Sequence, residues 1–224
     1  MSDALELKSR AGDSPPRFDA AFRARFVELL RWRRDVRRFR PEPVDAALLD
    51  HFLELAALAP SVGLSQPWRF VWVDDPQRRA SVRANFKACN AEALADVSPA
   101  RAAAYAKLKL AGLDQAPHHL ALFVESDPEQ GHGLGRRTMP ETIAYSAAMA
   151  AHTLWLAARG HGVGVGWVSI LEPGALTACL DVPRDWSFIG YFCVGYPAEA
   201  HDTPELERFG WERRRAAAGV ALRR

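Results

Sequence analysis

Ala59-Pro60-Ser61-Val62-Gly63-Leu64-Ser65-Gln66-Pro67-Trp68 is the stretch on which the reading of the fold turns. Upstream of it, Val44, Leu48, Phe52, Leu55 and Ala59 recur at helical spacing, and Pro60 cannot continue a helix. Downstream, Trp68-Arg69-Phe70-Val71-Trp72-Val73 is aromatic and β-branched, which predicts a strand. Between the two lies a loop carrying two hydroxyls and an amide side chain. Ser61, Ser65 and Gln66 can recognise a polar ligand there, or they can merely shape a turn. Ala59 to Gly63 has the outline of a nucleophile elbow, but an elbow needs a strand ahead of its serine, and here a helix precedes it.

Working outward, residues 1–17 read as a flexible leader ending in Ser14-Pro15-Pro16. Phe18, Phe22, Phe26, Leu29 and Leu30 then mark an amphipathic helix to about Trp32. Pro76 to Lys109 is helical with a break near Ser98-Pro99, and Leu120 to Val124 is a short buried strand. Asp127 to Thr138 is a glycine-rich loop. Pro140 to Arg159 is a helix of small residues, uncharged from Thr142 to Ala158, which fits a dimer helix because small side chains let backbones approach closely. Gly160 to Gly166 leads into a strand at Trp167 to Leu171. Pro173 to Leu180 is helical, Trp186 to Tyr196 extended, and the tail from Pro197 to Arg224 is charged without a clear core. Scattered strands among more numerous helices predict one α+β domain over 18–224 with a C-terminal extension.

Composition narrows the function. A formal charge of +2 in 224 residues gives a nucleic-acid partner no support. Thr142 to Ala158 holds too many polar groups for lipid, so no membrane span is expected. Three widely spaced cysteines form no CxxC pair, and the leader has no apolar signal core, so the expectation is a reduced, cytoplasmic protein. His118 and His119 are adjacent and no histidine has an i,i+4 ligand partner, so no metal site is predicted. The glycines at 131–135 and 160–166 never read GxGxxG, which removes a dinucleotide fingerprint.

Three distant segments make sense together: Arg33-Arg34-Asp35-Val36-Arg37, the loop from Ala59 to Trp68, and Gly162-Val163-Gly164-Val165-Gly166-Trp167-Val168-Ser169. Arginines, hydroxyls and backbone amides suit a phosphorylated planar cofactor, and glycines let backbone approach a flat ring. Each has a plainer reading. The arginines can cover a surface, Asp35 can be their ion-pair partner, and Trp68 and Trp167 can be core. Ser169 can be a satisfied strand hydroxyl.

These motifs resemble those of the FMN-binding nitroreductase superfamily over most of the chain. Aspartate at 35, where that superfamily commonly has serine, together with Leu134 to Thr142 and Gly166 to Leu171, resembles its dimethylbenzimidazole synthase branch. The resemblance implies a central, mainly antiparallel sheet flanked by helices, in a homodimer with cofactor sites at the interface. It implies reduced FMN as substrate and dioxygen as co-substrate. The ring system goes to 5,6-dimethylbenzimidazole, the lower ligand of cobalamin, and erythrose 4-phosphate leaves. A separate NAD(P)H-dependent flavin reductase is the implied partner.

By the same carry-over Arg33, Arg34 and Arg37, with Arg213 from the tail, hold the phosphate and the polar ring edge. Val36, Ser61, Ser65, Gln66, Trp68, Gly166 and Trp167 complete the cofactor set. Asp35 is the expected acid/base and Ser169 the expected orienting hydroxyl, because moving protons between ring and side chain needs a positioned group. The loop 127–138 is a candidate lid. The alternative is a nitroreductase or flavin reductase that retains its FMN.

Overall fold

The computed structural model describes residues 15–105, 108, 111–215 and 221. The leader expected over 1–17 lies outside them as far as residue 14. In chain order the elements are α1 (Ala20–Trp32), α2 (Ala46–Ala56), β1 (Trp68–Trp72), α3 (Pro76–Asp96), α4 (Pro99–Tyr105), β2 (His118–Glu125), α5 (Thr142–Gly160), β3 (Gly164–Val168), α6 (Pro173–Leu180), β4 (Trp186–Gly195) and α7 (Glu205–Arg208).

Local chemistry sets most boundaries. Asp19 caps α1 by accepting the Phe22 N–H at 2.7 Å, Asp45 accepts from Leu48, and Asp75 accepts from Gln77 and Arg78 ahead of Pro76. Such caps contribute about 1 kcal/mol each. Helix α2 stops at Ala56 rather than at Ala59, because the ring of Pro60 collides with a helical carbonyl four residues back.

The four strands form an antiparallel sheet in the order β1-β2-β4-β3. Strand β2 is interior and its side chains alternate between two cores. Leu120, Leu122 and Val124 pack with Phe52 of α2 and Ala147, Ala151 and Leu154 of α5. Ala121 and Phe123 pack on the other face with Val82 of α3, Leu176 of α6 and Tyr191. The result is three layers, with α2 and α5 on one side of the sheet and α3 and α6 on the other.

Two expectations shift. The third strand is Gly164–Val168, not 167–171, so Ser169 lies one residue past the ladder and is exposed. Its partner residues run from Gly195 to Tyr191, and after Val168 the chain turns toward Glu172, which caps α6. Helix α1 is the second. None of its residues is buried, and Phe18, Phe22 and Phe26 stack on one another with no core beneath them. Among the described residues no helix is long and apolar enough to cross a membrane.

In the second core, the His119 ring lies 2.9 Å from the Tyr191 hydroxyl and also bonds the Ala116 backbone. Burial, with Arg79 and Arg83 adding repulsion, pushes His119 down to about 3. The unfolded chain takes up that proton near pH 6.5, whereas the folded chain does not until about pH 3. Stability is therefore complete above pH 6.5 and falls with the pH, by about 1.4 kcal/mol per unit. Urea titrations at pH 7 and 4.5 should show a loss of about 2–3 kcal/mol that is absent in His119→Gln. An equal loss in both proteins would discard this assignment.

Candidate functional site

Residues 35–40 run along the open edge of β3. The Val36 N–H donates to the Val165 carbonyl at 3.1 Å, and residue 35 bridges residue 165 in parallel. Farther along, the Arg40 N–H donates to Tyr196 and the Ala198 N–H to Arg38. The approach is so close that side chains are excluded opposite it. A Cβ on Gly166 would lie 2.0 Å from the Val36 carbonyl oxygen, and one on Gly164 would lie 2.7 Å from the Val36 side chain. The glycines of this motif thus admit backbone, where the sequence suggested a flat ring.

That pairing delivers Asp35. One carboxylate oxygen accepts the Trp167 N–H at 2.8 Å, and the other faces Arg37 at 3.0 Å from Nε and 2.9 Å from Nη2. The Asp35 side chain keeps 32% of its surface open, toward a cavity rather than bulk water. Burial raises its pKa above the ordinary range, against the pull of Arg37 and the Trp167 N–H. The cavity measures about 210 Å³, and Asp35, Arg37, Trp167 and Ser169 line it together. Its other walls include Tyr105, Leu206 and Trp211, none of which the sequence singled out.

Arg33 stacks over Trp155 at 4.9 Å, and the Trp155 indole N–H donates to the Arg34 carbonyl at 3.1 Å. Trp155 in turn lies 6.5 Å from Trp167, whose ring occupies space that a Cβ on Gly190 would fill. Burial lowers the pKa of Arg33 and of Arg34, and repulsion from Arg214 lowers both further. The Arg34 Nε is buried without a hydrogen-bond partner. Three cationic groups held together in this way form an anion trap. Arg214 is the tail arginine whose charge reaches the pair; Arg213 and Arg214 are both exposed, and the Arg213 N–H donates to Glu212.

The loop of Ser61, Ser65 and Gln66 is closed by internal hydrogen bonds but does not line the Asp35 cavity. The Gln66 N–H donates to the Ser61 hydroxyl at 3.1 Å, closing a turn, and its side-chain amide donates to the Ala57 carbonyl. The Val62 N–H donates to Ser146 of α5. Leu64 and Gln66 both sit at positive φ, a strained geometry for residues with side chains. The Ser65 hydroxyl is buried without a partner. Trp68 is core. The loop 127–138 packs here as well, with Gln130 donating to the Leu64 carbonyl and to Gln66, so it covers residues 63–66 and not Asp35. Among the described residues no group of three or more His, Cys, Asp or Glu side chains could hold a metal ion.

Only partner geometry could have exposed Tyr105, Leu206, Trp211 and Arg214. Tyr105 ends α4 and the other three lie in the charged tail, and no local pattern marks any of them.

The nitroreductase family model matches residues 30–196. A protein from Rhodospirillum rubrum named 5,6-dimethylbenzimidazole synthase is 56% identical over 200 residues, which span 89% of this chain and 95% of that protein. One of the same name from Rhodobacter capsulatus is 50% identical over 195 residues, 87% of this chain and 94% of the relative. Among solved structures, iodotyrosine deiodinase bound to FMN and 3-iodo-L-tyrosine superposes with a TM-score of 0.67. It covers 78% of this chain and 91% of its own, and at 23% identity it speaks to the fold alone.

Proposed function

This chain belongs to the nitroreductase family, and from that premise we propose that it forms 5,6-dimethylbenzimidazole, the product for which its relatives are named, and that it does so from reduced FMN and dioxygen. The observation that carries the reading is Asp35, an acidic group fixed by Trp167 and Arg37 in the wall of a cavity. A carboxylate beside an anionic reduced flavin weakens its binding, so a simple reductase gains nothing from one. A reaction that shifts several protons needs it. An FMN-retaining nitroreductase or flavin reductase is less supported, because relatives at 50–56% identity carry the synthase name.

The residues present fit FMN. Arg33 and Arg34, joined by Arg213 or Arg214 from the tail, would hold the phosphate, which supplies the partner that the buried Arg34 Nε lacks. Arg37 would meet the polar ring edge while keeping Asp35 oriented. Val36, Gly166 and Trp167 form the wall behind. Reduced FMN supplies both the electrons for dioxygen and the carbon skeleton of the product. Asp35 takes and returns protons, and Ser169, at the cavity mouth, donates a hydrogen bond that orients the substrate.

Ser61, Ser65 and Gln66 lie away from this cavity in one chain, and a homodimer resolves that. A second copy would bring its loop 61–66 to the arginine group and satisfy the Ser65 hydroxyl. It would also cover Phe18, ahead of α1, and Phe22 and Phe26 of α1, with Tyr145 and Met149 of α5, all exposed in the single chain. The proposed setting is the cytoplasm, with reduced FMN supplied by a separate NAD(P)H-dependent reductase.

Product analysis tests the reading. Purified protein, FMN, an NADH-driven flavin reductase and air should yield 5,6-dimethylbenzimidazole by chromatography and mass spectrometry. FMN recovered intact while NADH is consumed would return the chain to the reductases.

A further inference from the structure

Arg38 is not among the residues that line the cavity, yet it holds two carboxylates of the tail. Its Nη1 lies 2.8 Å from Glu205 and 3.2 Å from Glu199, and Arg208 reaches Glu199 from the other side at 3.5 Å. The Glu205 side chain is only 9% exposed, and its second oxygen is buried without a partner. Glu205 therefore depends on Arg38 to be buried at all.

What Glu205 begins is the roof of the cavity. Helix α7 runs from Glu205 to Arg208, Gly210 turns the chain at a φ of 73°, and the Trp211 N–H donates back to the Leu206 carbonyl at 2.8 Å. Leu206 and Trp211 both line the cavity opposite Asp35. Trp211 stands edge-on to Tyr105 of α4 at 5.9 Å, with Arg101 over its ring at 5.2 Å.

We propose that Arg38 is a positioning residue, whose ion pairs with Glu205 and Glu199 latch the tail over the Asp35 cavity and so keep water from the reacting flavin. What the roof protects rests on the synthase reading; the latch itself does not. With the latch broken, two electrons and two protons pass from reduced flavin to dioxygen, giving hydrogen peroxide and intact oxidised FMN in place of the benzimidazole.

Limited trypsin digestion reads the latch without any flavin chemistry. Arg38→Gln and Glu205→Gln should each speed cleavage after Arg208 or Arg213 about tenfold, between the values expected for exposed and buried pairs, and Arg38→Lys should restore most of the protection. In wild type, added salt should speed the same cleavage, which keeps the test open if a variant does not fold. With reduced FMN and air, Arg38→Gln should raise the share of oxygen recovered as peroxide, and Arg38→Lys should lower it again. Cleavage indifferent to both substitution and salt overturns the latch. Faster cleavage with an unchanged peroxide share overturns the positioning role. A wild type that makes no benzimidazole sinks the synthase reading instead, and leaves the digestion result standing.

Discussion

Asp35→Asn should abolish 5,6-dimethylbenzimidazole formation, a fall of about 10²–10⁴-fold, while binding of oxidised FMN changes little and that of anionic reduced FMN tightens. The substitution is nearly isosteric. An asparagine oxygen still accepts the Trp167 N–H that places the side chain, and Arg37 still lies beside it. What is lost is the capacity to take up and release a proton. Burial raises the Asp35 pKa above the usual carboxylate range, so its basic form disappears as the pH falls through a value higher than about 3.9. The rate of wild type should accordingly show an acid limb above that value, and the residual rate of the asparagine variant should lack it. Rapid-mixing measurements with reduced FMN, quantified by product, would decide. Full turnover in Asp35→Asn would leave the residue as a structural ion-pair partner and remove the main support for the synthase reading.

Gly166→Ala should disrupt the same site from the opposite side. The added methyl would lie 2.0 Å from the Val36 carbonyl oxygen, and this is backbone, not the end of a flexible side chain. Either residues 35–36 or β3 must move, and the bond from Val36 N–H to Val165 is the contact that gives way. The expected loss is about 3 kcal/mol, at the upper end of overpacking costs, or a Tm lower by roughly 6–12 °C in a chain of this size. Gly160→Ala is the control, since nothing lies within 4 Å of its added methyl. Thermal melts followed by circular dichroism compare the two, and a Gly166→Ala protein as stable as the control would mean that the edge pairing is loose.

The sequence was most legible where one residue acts on its neighbours. The helical period of Leu48, Phe52 and Leu55 announces α2, and the apolar run from Leu120 to Val124 announces a buried strand. Asp35 and the arginines around it stood out because their types and spacing form a motif. Legibility failed where the partner is far away in the chain. Ser169 falls on a strand in the sequence because Trp167 to Leu171 reads as one, but strand length is set by β4, which pairs only as far as Val168. The purpose of Gly164 and Gly166 depends on Val36, about 130 positions earlier, and no local pattern contains it. The tail looked coreless because its apolar residues, Leu206 and Trp211, are few, and their surroundings belong to α4 and β3. His119 and Tyr191 share a bond through adjacent strands that are distant in sequence, so neither could be read as one of a pair.

The hydrogen bond from Trp167 to Asp35 spans 132 positions, and this bears on the order of assembly. During synthesis the arginine segment emerges early, but the strand edge that receives it comes out only after two-thirds of the chain has been made. Closing a loop of that length is entropically unfavourable until β3 has docked beside β4, so the carboxylate takes its place among the last native contacts to form. A nascent or partly folded chain can therefore gather arginines around a passing phosphate while holding no aligned proton carrier. On the proposed reading, the capacity to dismantle a flavin arrives only with a finished protein.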